Sequence, residues 1–216
     1  VQVAHRYDGD RVTFYEEDDI GCSDDESLKS AVRSARHPNR YCQILNYQIP
    51  NHSDLRAIYL WPPLTEFIRQ VLNVEQLFLS QCPHLALTMK VAYEGDTDGW
   101  HYDPNDGVVT LVLQAADNGG EFEYAPNIRN KINQNYAGVD RLFKSPDVEA
   151  TRPILEPGTF TFFNGRHSMH RVRQVGSTRQ PRIVSIFSFD QRPDHFFAQS
   201  YIDKLRRFPQ GPPKVD

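Results

Sequence analysis

Between residues 86 and 190, short runs of β-branched and aromatic residues alternate with turn-forming clusters, and nothing else in the chain constrains its fold as much. The runs are 86–93, 107–114, 120–124, 158–163, 170–175 and 182–189, separated by EGDTDG, DPNDG, DNGG, NGR and GSTRQP among others. Runs of this kind bounded by Gly, Asn, Asp and Pro read as strands. Six or more at this spacing predict an antiparallel sandwich or barrel. The polar stretch 125–151 interrupts them and is long enough to be functional, which makes it a candidate lid.

The first part of the chain has a different texture. Residues 8–27 are acidic and polar and read as a solvated loop. Ser27 to Arg36 suits a short helix, Tyr41 to Ile49 a strand, and Pro63 to Leu72 a helix with its proline in the first turn. The expected architecture is a single domain over 1–216. A helical or mixed N-terminal part (about 1–85) packs on a β core (about 86–190), and 191–216 form a C-terminal extension. With 39% hydrophobic residues the chain can bury a core, which argues against global disorder.

Charge and composition exclude several classes of partner. Lys plus Arg number 24 against 28 Asp plus Glu, a net charge of −4, so no basic excess points to a nucleic acid. No apolar run reaches the roughly 18 residues needed to span a membrane. No signal-peptide pattern is seen at the start, although the chain opens at Val1 rather than Met. Cys22, Cys42 and Cys82 form no paired motif, which fits a reducing, cytoplasmic setting.

The chemistry is concentrated in three places. His101 and Asp103 are two apart, so in an extended segment they project to one face. His170 follows the run GTFTFF and leads HRVRQV. Two His and one carboxylate make the facial triad of non-haem Fe(II) oxygenases, which leaves the other face of an octahedron open. Arg182 opens the last core strand, where its guanidinium can hold a remote carboxylate in a bidentate fork. His167 is the rival to His170, and Arg179 the rival to Arg182.

Taken together, these stretches resemble the Fe(II)- and 2-oxoglutarate-dependent dioxygenases. KVAYEGDTDGWHYD looks like the strand–turn–strand that delivers the HxD motif, and NGGEFEY looks like the GGE strand of the prolyl-hydroxylase-like branch. LEPGTFTFFNGRHSMHRVRQV looks like the stretch around the distal His, and PRIVSIFSFD like the final strand. The match covers residues 86 to 190. It implies a mainly β fold with N-terminal helices, a double-stranded β-helix or jelly roll. It implies His101, Asp103 and His170 as Fe(II) ligands and catalytic residues, and Arg182 as the partner of the 2-oxoglutarate C5 carboxylate. It also implies Tyr93 as a further cosubstrate contact, O₂ as co-reactant, and stimulation by ascorbate. Many members follow the Arg by two with Ser. Position 184 is Val, and Ser185 faces away by strand parity, which leaves Thr110 and Tyr93 as candidates for the second carboxylate contact.

Related halogenases carry Gly or Ala where this chain has Asp103, so the resemblance implies hydroxylation, or another oxidative outcome such as desaturation, rather than chlorination. It is closest in wording to bacterial biosynthetic members acting on free amino acids, so the expected partner is a small-molecule substrate, an amino acid. Arg166, Arg171 and Arg173 are candidates for its carboxylate, a cavity-facing Glu121 or Glu123 for its amine, and Trp100 for lining the pocket. The rival readings are a prolyl or lysyl hydroxylase acting on peptides, a non-catalytic jelly-roll binding module, an alkylation-repair demethylase and a zinc hydrolase. The demethylase group has a second Arg at the position of Ser188, and a zinc hydrolase leaves Arg182 unexplained.

Overall fold

A strand whose side chains alternate between two environments must have something to cover each face. In this chain the two coverings differ, and that difference builds the site. The computed structural model describes residues 4–14, 25–103, 108–194, Phe197 and Ile202. Its strands are β1 (His5–Val12), β2 (Arg36–Ile44), β3 (Phe78–Leu79), β4 (Leu87–Ala92) and β5 (Thr97–His101), followed by β6 (Val108–Gln114), β7 (Phe122–Ala125), β8 (Phe160–Phe163), β9 (Met169–Val172) and β10 (Arg182–Asp190). The helices are α1 (Glu26–Ser34), α2 (Asp54–Tyr59), α3 (Pro62–Val71), α4 (Tyr136–Lys144) and α5 (Pro146–Glu149).

The strands form one sheet in the order β7-β9-β5-β2-β4-β10-β6-β8, with β1 added to β2 and β3 to β10. β2 is the splice between two arms. Its Asn39 and Arg40 pair with β5, its Cys42 to Ile44 pair with β4, and β1 runs antiparallel along its whole length. The small arm, β5-β9-β7, and the large arm, β4-β10-β6-β8, curl around a shared cavity lined from both sides. This is a jelly roll, as expected.

Period-two alternation assigns each large-arm strand to two tasks. In β10, Arg182, Val184, Ile186 and Ser188 line the cavity, while Phe187 and Phe189 pack outward. In β4, Thr88, Lys90 and Ala92 line it, while Leu87 and Val91 pack outward. The outward set meets Tyr59 of α2 and Leu64 and Ile68 of α3, four residues apart on one helix face. Full burial of each such side chain is worth about 1.5–3 kcal/mol. The main apolar core therefore lies between the sheet and the N-terminal helices, and the barrel interior has room for polar and charged groups among its apolar walls.

Several expectations need correction. Residues 8–12 are not loop but the end of β1, a strand whose Arg6 reaches Asp96 (2.6 Å) and whose Arg11 reaches Asp98 (2.6 Å). Residues 15–24 of that expected loop lie outside the described residues. The strand expected over 41–49 begins five residues earlier, and its last residues form a short 3-10 turn at Asn46–Gln48. RHPNR carries no apolar alternation, so cross-strand pairing with β1 extends the strand where propensity does not. β5 was legible only at its end because TDG reads as turn. Gly99 lets β5 approach β2, since a Cβ there would lie 2.4 Å from His37 Cβ and 2.8 Å from the Pro38 carbonyl oxygen.

The insertion is not a lid. Its α4 buries Tyr136, Val139 and Leu142 against Trp100, Tyr102 and Met169 on the outer face of the small arm, and no described residue of 125–151 lines the cavity. Glu123 also faces outward. It is 1% exposed and accepts from Arg171 (2.6 Å), Arg152 (2.9 Å) and Arg173 (3.3 Å), while its neighbour Phe122 lines the cavity. Glu121 is exposed beside Arg173 (4.0 Å), so neither Glu faces the cavity. Trp100 is buried under the Arg171 guanidinium (4.6 Å) and packs rather than lines the site. Cys42 and Cys82 are free and buried, and Cys22 lies outside the described residues. Among the described residues no helix is long and apolar enough to cross a membrane.

Burial acts to raise the Glu123 pKa, but its hydrogen bonds to Arg171 and Arg152 hold it below the usual carboxylate range. A depressed carboxylate stabilises the fold above its unfolded pKa and loses that contribution as pH falls through its folded pKa. Urea midpoints measured from neutral to acid pH are expected to fall steeply below the ordinary Glu range in the native chain. In Glu123→Gln the midpoint is expected to be lower at neutral pH, by about 1–3 kcal/mol of stability because the arginines left behind reach solvent, and the acid dependence flatter.

Candidate metal centre

β5 and β9 pair so that His101 lies directly across from His170. Directly opposed residues share a face, and their rings stand with centroids 4.1 Å apart. Asp103 follows just beyond the end of β5, its backbone N–H donating to the Gly165 carbonyl (3.0 Å). One ligand atom from each of the three residues falls within a 4.8 Å cluster, and among the described residues no other group of His, Cys, Asp and Glu does so.

The protons are arranged for a cation. His101 Nδ1 lies 2.7 Å from the Gly99 carbonyl oxygen, and His170 Nδ1 lies 3.0 Å from that of Ser168. A carbonyl only accepts, so each Nδ1 carries the hydrogen and each Nε2 presents a lone pair inward. Those lone pairs face the Asp103 carboxylate, at 3.4 Å from His170 Nε2 to Oδ2 and 3.9 Å from His101 Nε2 to Oδ1. Asp103 Oδ2 is buried and has no hydrogen-bond partner. Lone pairs converging on an unpartnered carboxylate oxygen repel one another unless a positive charge lies between them. Burial, with the Arg11 charge and the neighbouring His170, pushes the His101 pKa well below its usual value, so the ring is neutral and needs no deprotonation to bind metal. Two imidazoles and one carboxylate on one face suit Fe(II).

Gly165 makes room for the carboxylate. A Cβ at this position would lie 2.0 Å from Asp103 Oδ2 and 2.8 Å from its Cγ. Sequence reasoning read NGR only as a turn. The glycine is required because the Asp103 carboxylate occupies the volume a side chain would need, and no local signal shows that.

The cavity extends from this cluster to Arg182 and beyond. Arg182 is buried and lines it. Burial lowers its pKa to about 10 against the opposing charge of Asp98, and among the described residues no carboxylate lies within ion-pair distance of it. Arg179 instead pairs with Asp117 at the surface (3.0 Å). Of the two arginines, only Arg182 faces the cavity. His167 stands outside the three-residue cluster. Tyr93 is 37% exposed and is not among the lining residues, so the structure gives it no place beside a ligand in the cavity. Thr110 does line it, with its hydroxyl bonded to that of Thr161. Ser185 faces away, as parity requires, and donates to the Thr88 carbonyl (3.1 Å). Arg171 and Arg173 belong to the outer cluster on Glu123, and Arg166 lies outside the lining.

Sequence reasoning missed Lys90 and Asp98, which also line the cavity. Lys90 Nζ donates to Asp98, and Arg11 donates to the other oxygen of the same carboxylate. Strand parity alone would have placed Lys90 beside Thr88 and Ala92, but the run KVAY gave no reason to prefer one face as interior.

Replacing Gly165 with Ala is expected to displace Asp103 and lower Fe(II) affinity by about 10–100-fold, the usual cost of disturbing the support of a metal ligand. Metal titration of the Gly165→Ala protein, beside urea unfolding to separate binding from folding, checks this.

The comparisons agree with this architecture. A model of the halogenase D family matches residues 23–201. No curated protein is similar enough in sequence to stand as a relative. Among solved structures, the chain is similar to an oxidoreductase of the 2OG-Fe(II) oxygenase family from Burkholderia pseudomallei. The identity is 13% and the TM-score 0.50, over 87% of this chain and 75% of that one. It is less similar to prolyl 4-hydroxylase from Phytophthora capsici, with 15% identity and a TM-score of 0.44 over 77% and 56% of the two chains. The likeness to the Burkholderia structure shows the fold, and the family model spans most of the chain. This protein is an enzyme, and it belongs to the halogenase D family.

Proposed function

We propose that this enzyme hydroxylates an unactivated C–H bond of a small metabolite, a free amino acid, while 2-oxoglutarate is converted to succinate and CO₂. The observation that carries the reading is Asp103, a carboxylate seated in a space kept clear by Gly165 and facing His101 and His170. In this reading His101, Asp103 and His170 hold Fe(II), and Arg182 holds the remote carboxylate of 2-oxoglutarate. Halogenases of this kind resemble it but carry Gly or Ala in place of the Asp, which frees a metal position for chloride. Here a carboxylate, Asp103, would take that position when the metal is bound.

When bound, the iron supplies activation of O₂ at the expense of the 2-oxo acid. The chain supplies the rest. The carbonyls of Gly99 and Ser168 hold the two imidazoles in the tautomer that ligates. Arg182, buried without an anionic partner among the described residues, is stabilised when a carboxylate arrives, which fixes the cosubstrate's orientation. Phe122, Phe163 and Val172 wall the metal end and keep water from it. The polar groups of Gln43 on β2 and of Thr88 and Ser188 on the large arm also line the cavity, where a small polar substrate can be oriented.

Succinate formation from 2-oxoglutarate, with Fe(II) and ascorbate under air, tests the reading across a panel of amino acids. Stimulation by one amino acid, with a product heavier by one oxygen atom, is expected. His101→Ala is expected to abolish it. A chlorinated product in the presence of chloride would overturn the hydroxylase reading, and absence of any succinate would overturn the oxygenase reading.

A further inference from the structure

We propose that Lys90 is the second cationic contact for the remote carboxylate of the 2-oxo dicarboxylate cosubstrate, working beside Arg182. The proposal rests on the cosubstrate reading given above and names a residue that the family's pattern does not supply.

The argument begins at position 184. Val184 has no hydrogen-bonding group, and Ser185 points out of the cavity. The residue directly across from Val184 on the neighbouring strand is Lys90, and Arg182 is directly across from Ala92. Arg182, Val184 and Lys90 all line the cavity, so Lys90 and Arg182 are diagonal neighbours on one face. Diagonal neighbours have Cβ atoms about 7–8 Å apart, within reach of two long side chains converging on one carboxylate. The other candidates fit less well. Thr110 sits across from Ile186, one cavity-facing position further from Arg182, and its hydroxyl is bonded to Thr161. Tyr93 does not line the cavity.

The charges facing Lys90 leave it available. Asp98 accepts from it, and the Lys90 ammonium also stands 4.5 Å from the centre of the Tyr41 ring. An ammonium has three N–H donors, so the bond to Asp98 leaves others for a ligand. Asp98 does not depend on Lys90 alone, because Arg11 donates to its other oxygen at 2.6 Å. Arg11 offsets Asp98, and Lys90 and Arg182 remain as the positive charges of this part of the wall. A dianionic ligand entering a cavity that also contains Asp98 requires that excess.

The test compares two ligands on Fe(II)-loaded protein kept free of O₂. One is 2-oxoglutarate. The other is 2-oxobutyrate, which keeps the metal-binding end and lacks the remote carboxylate. Affinities come from ligand-dependent shifts in Tm. In Lys90→Met, 2-oxoglutarate is expected to weaken about 10–100-fold while 2-oxobutyrate is unchanged. Arg182→Met is expected to show the same selectivity, and Lys90→Arg to recover most of the loss. Equal weakening of both ligands in Lys90→Met, or no weakening of either, overturns the proposal, and the ligand-free Tm of each variant shows whether folding was affected. If the unaltered protein does not prefer 2-oxoglutarate over 2-oxobutyrate, the cosubstrate reading itself fails, and Lys90 fails with it.

Discussion

The register between β5 and β9 is the constraint on which the site depends. It sets His101 opposite His170, and a slip of one residue would turn every side chain of β5 to the other face of the sheet. The pairing is short and irregular between Asp98 and His101, so backbone bonds alone hold it weakly. Side chains add to it. Thr97 donates to the Val172 carbonyl (2.8 Å), Gly99 allows β5 to press on β2, and Arg171 covers Trp100. On the outer face Arg171 is held by Glu123 of β7, so a buried carboxylate on the third strand fixes the position of the middle one.

The same strands carry charge inward at high density. Asp98, His101, Asp103, Lys90 and Arg182 all border one cavity. Buried charges of this number are tolerated only when each has a counterpart or awaits one. Asp98 has Lys90 and Arg11. The cluster of His101, Asp103 and His170 has an orphaned carboxylate oxygen, and Arg182 has no anionic partner among the described residues. The two uncompensated features have opposite requirements, a cation at one end and an anion at the other. Arg11 comes from β1, which precedes the part of the chain that matches the family model. The added strand therefore does more than lengthen the sheet; it adjusts the charge of the cavity.

Much of this was legible in one dimension. The turn-separated runs give β4, β6, β7, β8, β9 and β10 close to their observed limits, because turn chemistry and β-branched residues act locally. The spacing of His101 and Asp103 holds because it needs only an extended backbone. The helix at α3 follows from its early proline and apolar spacing. β1 and the first half of β2 were not legible. RYDGDRV and RHPNR lack alternation, and their extended form comes from pairing with each other. The polar insertion looked like a lid because several of its apolar residues, among them Tyr136, Val139 and Leu142, are spaced for a helix face whose partner lies on distant strands.

The amino-acid sequence by itself determined an antiparallel sandwich or barrel, which the family resemblance narrowed to a jelly roll, and marked His101, Asp103, His170 and Arg182 as the residues to consider. Those inferences rest on short-range spacing and on the order of motifs. Only the tertiary structure decided which way each residue faces. It turned Arg182 inward and Arg179 out to Asp117, moved Tyr93 and Glu123 away from the cavity, and brought Lys90 and Asp98 into it. It also gave Gly165 its purpose. Strand parity leaves two faces equivalent until other elements cover one of them, and here the choice was made by α2 and α3 packing on one side of the large arm.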